Sequence, residues 1–242
     1  MIKEVLSFVS RIRIHGIASA LSSIARSASF SQFAEDIFAS KLMNFGENGF
    51  YVDVGAAYPI LNSNTYRFYL KGWRGLTIEP NPDLVFQQRR VRPGDVCVPV
   101  GIAASEGTLT YYRFTPADYN TFDPELAEQL VARGIRSQSP LVIPTRTLSS
   151  ILDEYVRDRA IDIMSIDCEG LDLEVVQSSD WKRFRPRLLM VEDHQPSLSA
   201  AINSRLTKFL AAADYVFVAR LSYTSFFVPC EEIHRLPGNE SA

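Results

Sequence analysis

The sequence is short of the residue types that mark small secreted or metal-built domains. Three cysteines, Cys97, Cys168 and Cys230, lie far apart with no C-x-x-C pair, so neither a disulfide framework nor a zinc finger is supported. Such usage fits a reducing, cytoplasmic setting. None of the three histidines, His15, His194 and His234, has a His or Cys partner at ligand spacing, so any metal is expected to be bound by oxygen. Lysine and arginine total 25 against 28 acidic residues, a balance of −3 that argues against nucleic acid as a partner. No apolar run reaches the roughly 18 to 20 residues of a bilayer-spanning helix. At the N-terminus Lys3, Glu4, Arg11, Arg13 and His15 interrupt any signal-peptide core.

What is present is apolar residue in ordered repeats. The chain has 242 residues, 46% of them hydrophobic, enough for one large domain or a domain with an appendage. From Ile2 to Ile24 apolar residues recur mostly every three or four positions, predicting an amphipathic helical extension over residues 1–29 and a main domain over 30–242. With Arg11, Arg13 and Arg26 the extension could lie peripherally on an anionic membrane; packing on its own domain or forming a homodimer are the alternatives. A helix is predicted over 32–43. Strands are then expected over 50–55, 76–79 and 96–102, with helices over 65–71 and 83–92 between them. Such short crossovers imply an α/β fold with a mostly parallel sheet and helices on both faces.

A strand over 108–114, antiparallel to its predecessor, leads into a Pro-punctuated stretch holding a helix over 124–133. Residues 115–140 are expected to form an insertion or lid. Alternation resumes with helices over 148–156, 171–177 and 198–212, and strands over 161–166, 188–191, 215–219 and 225–228.

Ligands of doubly wound sheets sit beyond the carboxyl ends of the strands. Asp53-Val54-Gly55-Ala56 falls at such an end, but Ala57 and Ile60 stand where a G-x-G-x-x-G fingerprint needs glycine, so a pyrophosphate cradle is poorly supported. Glu79 closes the second strand 26 residues after Asp53, where a carboxylate can accept the hydroxyls of a ribose. A ligand with a ribose and positive charge but no phosphate suits this pair, and S-adenosylmethionine has those properties. Capping of helices and strands is the plainer role for both acids.

The string Gly49-Phe50-Tyr51-Val52-Asp53-Val54-Gly55-Ala56, then Pro59, Ser63-Asn64-Thr65, Gly72-Trp73-Arg74-Gly75 and Ile78-Glu79-Pro80-Asn81-Pro82, resembles the FkbM family of S-adenosylmethionine-dependent methyltransferases. Ser31-Gln32 with Glu35-Asp36, and Ile166-Asp167-Cys168-Glu169-Gly170, look like the flanking motifs of the same family. The resemblance implies a Rossmann-like class I methyltransferase fold and O-methyl transfer to sugars or polyketide-type products. It would put Asp53, Gly55 and Ala56 at the amino-acid end of the cofactor, Glu79 on its ribose and Asn81 near its adenine. Asn64, Thr65 and Gln32 would complete the cofactor set.

Asp167 ends one strand and Glu192-Asp193 end another. If these strands are neighbours, the three carboxylates converge and repel unless a proton or cation intervenes. Mg²⁺ held by Asp167, Glu192 and Asp193 could orient an acceptor hydroxyl and lower its pKa, a pattern similar to metal-dependent sugar O-methyltransferases of macrolide pathways. Capping, or pairing with Arg185 or Arg187, is the alternative. His194 could take the hydroxyl proton. Glu169 could start the next helix, or stabilise the sulfonium or orient the acceptor. The expected activity is O-methylation of a small sugar or polyol acceptor. The rivals are a non-catalytic scaffold of the same fold and a nicotinamide-dependent oxidoreductase.

Overall fold

The computed structural model describes residues 28–43 and 45–238. The expected extension over 1–29 falls outside them except for its last two residues, and the membrane and dimer expectations fall outside with it. A helix, Glu35–Leu42, precedes strand β1, Phe50–Val54, whose five residues are all buried. Next come helix Tyr66–Leu70, β2 (Arg74–Ile78), helix Pro82–Val91, and the short β3 (Val96–Val98) and β4 (Gly101–Ile102). β5 (Gly107–Tyr111), β6 (Phe114–Thr115), helix Pro124–Ala132, β7 (Arg136–Ser137) and β8 (Leu141–Arg146) form an excursion. Helix Leu148–Tyr155, β9 (Ile163–Ile166), helix Asp172–Gln177, β10 (Leu188–Glu192), helices Leu198–Ile202 and Arg205–Ala212, and the hairpin β11 (Tyr215–Leu221) and β12 (Thr224–Pro229) complete the domain.

The main sheet has seven strands in the order β11-β12-β10-β9-β1-β2-β3, and β12 runs opposite to the other six. Strand alternation sorts β1 between two cores. Phe50, Val52 and Val54 pack with Leu152, Val175 and Met164 on one face, while Tyr51 packs with Phe68, Trp73 and Phe226 on the other. Burial on both faces is what a parallel sheet covered by helices requires.

Three expected elements differ from those found. Pro99 divides the strand expected over 96–102, so β3 joins the main sheet and β4 joins a second sheet ordered β4-β8-β5. β5 therefore pairs antiparallel with β8, not with its predecessor. β8 itself carries Pro144, which reads as a strand breaker; it is tolerated because β4 reaches only Thr145 and Arg146, leaving Pro144 with a single strand neighbour. The helix expected over 198–212 is cut at Asn203-Ser204, where the Ser204 hydroxyl accepts from Thr207 N and starts a new helix.

The chain reverses direction across the sheet between β1 and β9. Their carboxyl ends meet at Gly55, whose φ of +75° and close approach leave room for no side chain: a Cβ there would lie 1.7 Å from the Asp167 carbonyl oxygen. The glycine is thus demanded by protein backbone at the switch point.

Candidate active site

A cavity of about 390 Å³ opens at this switch point, along the carboxyl ends of β2, β1, β9 and β10. Glu79, just past β2, is 2% exposed and lines it. Its Oε1 accepts from Asn81 N at 2.7 Å and its Oε2 from Ala57 N at 2.8 Å. Burial lifts its pKa to about 7 despite those two donors, which favour the ionised form. Asn81 caps the helix Pro82–Val91 by accepting from Asp83 N, so one short segment both starts the helix and holds the carboxylate.

Gln32, Gly55 and Asn64 share the cavity wall with Glu79, whereas Asp53, Ala56, Thr65 and Asn81 are not part of it. Asp53 sits behind, 5% exposed, its Oδ2 accepting from Thr65 Oγ1 at 2.5 Å. Burial raises its pKa, and the Arg92 guanidinium opposes the rise. Asn64 donates from Nδ2 to Ser165 Oγ of β9 at 3.0 Å, tying the loop after β1 to the neighbouring strand.

Acidic groups gather at the β9–β10 side, two to three strand spacings or about 10 to 14 Å from Glu79. Asp167, Glu169, Glu192 and His194 line the cavity. Ligand atoms of Asp167, Asp172 and Glu192 lie within 4.8 Å of one another, as do those of Glu169, Glu192 and His194. Burial first, then the charge of Glu192, lifts Asp167 well above the carboxylate range and brings Glu169 to about 8 and Asp172 to about 7. His194 Nε2 stands 3.1 Å from Glu192 Oε2, and that contact raises the imidazole pKa. No lysine or arginine lines the cavity among the described residues, while six carboxylates do: Glu35, Glu79, Asp118, Asp167, Glu169 and Glu192.

The excursion closes the cavity from above. Pro116 to Phe122 contribute to its wall. Tyr58 Oη accepts from Ala117 N at 3.2 Å, Asn62 Nδ2 donates to Asp118 Oδ1 at 3.0 Å, and Thr121 Oγ1 donates to the Glu169 carbonyl at 3.0 Å.

The profile of the methyltransferase FkbM domain matches residues 53–217. The chain belongs to the FkbM methyltransferase family. The methyltransferase sdnD of Sordaria araneosa is 27% identical over 184 residues, which cover 64% of this chain and 70% of that protein. Among solved structures, the fibrillarin pre-rRNA processing protein of Methanococcus jannaschii aligns with a TM-score of 0.46 at 11% identity, over 82% of this chain and 74% of that one. A precorrin-6y C5,15-methyltransferase from Geobacter metallireducens aligns with a TM-score of 0.38 at 13% identity, over 81% and 85%.

In this FkbM chain the expected trio of Asp167, Glu192 and Asp193 is not assembled. Strand alternation continues past β10, where Asp193 N still donates to Tyr223 O, and turns Glu192 and Asp193 to opposite sides. Asp193 Oδ1 accepts from Gln195 Nε2 at 2.9 Å, and its side chain is absent from the cavity wall. Asp172 joins Asp167 and Glu192 instead. Its signal was position: an acid five residues after Asp167, opening a helix, whose oxygens accept from Cys168 N at 2.7 Å and Gly170 N at 3.3 Å. The alternative pairing with arginine is not seen. Arg185 bonds Glu231, and Arg187 bonds Asp162 and Glu232.

Proposed function

We propose that this FkbM-family enzyme is an S-adenosylmethionine-dependent O-methyltransferase acting on a hydroxyl of a sugar or related polyol-bearing natural product. The observation that carries the reading is the two-sided lining of one cavity. A buried carboxylate fixed by two backbone N–H groups stands on one side, and a carboxylate–imidazole cluster stands on the other. Glu79 keeps lone pairs free for a ribose diol, with Gln32, Gly55 and Asn64 around it and Asp53, Ala56, Thr65 and Asn81 supporting from behind. Bound S-adenosylmethionine would supply an electrophilic methyl on a sulfonium, a cation suited to this wall.

An acceptor bearing phosphate or carboxylate would meet no lysine or arginine here among the described residues. A neutral acceptor rich in hydroxyls meets acceptors on every side. His194, with Nε2 standing 3.1 Å from Glu192 Oε2, would act on the acceptor hydroxyl as a base, with Asp167 and Glu169 orienting that hydroxyl. The donor set also fits a divalent cation. Asp167 and Glu192, with Asp172 in the place first assigned to Asp193, offer hard oxygens, and Mg²⁺ bound there would acidify the acceptor hydroxyl. The Pro116–Phe122 segment is the proposed lid within the excursion. Isothermal titration tests the reading first: S-adenosylmethionine should bind the folded wild-type chain at micromolar concentrations or better, and no heat of binding would overturn it.

A further inference from the structure

Two buried polar side chains, Gln88 and Arg92, lie behind the cavity wall and are not part of it. Gln88 and Arg92 lie one helical turn apart at the end of the helix Pro82–Val91, each 1% exposed. All five of their donated side-chain hydrogen bonds end on one segment, the loop after β1. Gln88 Nε2 donates to the carbonyls of Ala56 at 3.2 Å and Ala57 at 3.0 Å. Arg92 donates from Nε to Pro59 O at 2.8 Å, from Nη1 to Thr65 Oγ1 at 2.8 Å and from Nη2 to Ser63 Oγ at 2.5 Å. Its guanidinium also packs over the Tyr66 ring, 5.3 Å from the centroid.

That loop is hard to hold without help. Ala57 takes a φ of 43°, a left-handed value that alanine adopts only when its surroundings enforce it, and Asn62 takes 55°, which asparagine tolerates better. Of the two fingerprint positions that hold Ala57 and Ile60, only 57 takes a positive φ, so a glycine at 57 would relieve the backbone there. Yet the loop supplies much of the site: Ala57, Asn62 and Asn64 line the cavity, Ala57 N fixes Glu79, and Thr65 Oγ1 fixes Asp53.

We propose that Gln88 and Arg92 are positioning residues: a helix-borne clamp that substitutes for glycine flexibility and holds the β1 loop in its cofactor-binding shape. The inference rests on the cavity being the S-adenosylmethionine site. The same helix then organises the site from both ends. At its start Asn81 N holds Glu79, and at its end Arg92 holds the loop that meets Glu79 from the other side.

The test uses the full chain with Arg92→Lys, Arg92→Met, Gln88→Met and, as a core control, Val228→Ala, a fully buried β12 residue of the opposite core cluster that is not part of the cavity wall. S-adenosylmethionine affinity is measured by calorimetry, amide hydrogen exchange over residues 56–65 without ligand, and stability by urea. Gln88→Met and Arg92→Met should each weaken binding by about tenfold or more and speed loop exchange, with Arg92→Lys recovering part of both. Val228→Ala should lose stability and keep the wild-type affinity. A folded Gln88→Met or Arg92→Met with wild-type affinity and loop exchange would overturn the proposal, as would an equal affinity loss in Val228→Ala. Should the Arg92 variants fail to fold, Gln88→Met decides. If the wild type itself binds no S-adenosylmethionine, the functional reading falls, and loop exchange alone still judges the clamp.

Discussion

S-adenosylmethionine should bind about tenfold more weakly at pH 6 than at pH 8, because Glu79 must be ionised to accept the ribose hydroxyls. The magnitude follows from burial. With its pKa at about 7 in the ligand-free chain, Glu79 is roughly one-tenth ionised at pH 6 and nine-tenths at pH 8. If only the carboxylate binds, the apparent dissociation constant scales with the inverse of that fraction. Fold stability moves the opposite way. A folded-state pKa raised above the ordinary 4.5 means that the folded chain holds a proton the unfolded chain has released, so Glu79's contribution is full below pH 4.5 and lost as pH rises through 7. The loss is on the order of 3 kcal/mol. Asp172 and Glu169, raised to about 7 and 8, act in the same sense.

Ligand-free stability should therefore fall between pH 5 and pH 8 while affinity for the cofactor rises. Urea denaturation and calorimetry across that range read the two trends separately. Glu79→Gln isolates the group: its amide can satisfy only one of the donors Ala57 N and Asn81 N, so it should bind weakly and with little pH dependence. A wild-type affinity flat from pH 6 to pH 8, or the full slope persisting in Glu79→Gln, would refute the assignment.

Other expected outcomes are simpler. Gly55→Ala should cost more than about 3 kcal/mol in chemical denaturation, since its methyl must displace the Asp167 carbonyl at a positive φ; a variant within 1 kcal/mol of wild type would contradict the backbone packing at the switch point. His194→Gln should lower the turnover number roughly 10²- to 10⁴-fold against a panel of polyol acceptors, with calorimetric affinity for S-adenosylmethionine unchanged. Unaltered turnover would remove His194 from the chemistry. Mg²⁺ at about 100 times its dissociation constant should raise stability by roughly 2.7 kcal/mol in the wild type and not in Asp167→Asn, and a thermal scan blind to Mg²⁺ would show that the acid cluster takes no cation.

The parts of the fold that were legible are those where local chemistry and tertiary context agree. Phe50-Tyr51-Val52-Asp53-Val54 is an apolar, β-prone run and lies in the centre of the sheet, buried on both faces. Asn81-Pro82 carries both halves of a helix start, a capping side chain and a proline at the first turn, and the helix begins there. β8 was hidden because Pro144 breaks the strand pattern, and its tolerance depends on how few residues β4 offers, a fact of pairing that no local window contains.

The same distinction separates the legible from the illegible part of the site. Glu79 stood out because a strand-end carboxylate is a local feature, and both of its hydrogen-bonding partners lie in short loops next to strands. Asp193 misled because adjacency in sequence says nothing of side: in extended chain, neighbours face opposite ways, so a convergent set must be drawn from alternate positions or different strands. Glu169, Glu192 and His194 obey that rule, with Glu192 and His194 two apart and Glu169 coming from the turn after β9. Gln88 and Arg92 were invisible for a stronger reason. Their partners are main-chain carbonyls and hydroxyls 27 to 33 residues earlier, and carbonyls carry no residue identity for a pattern to find. A loop that lacks the glycines of its class therefore poses a question that sequence can raise and only the packed structure can answer: which side chain holds it in place.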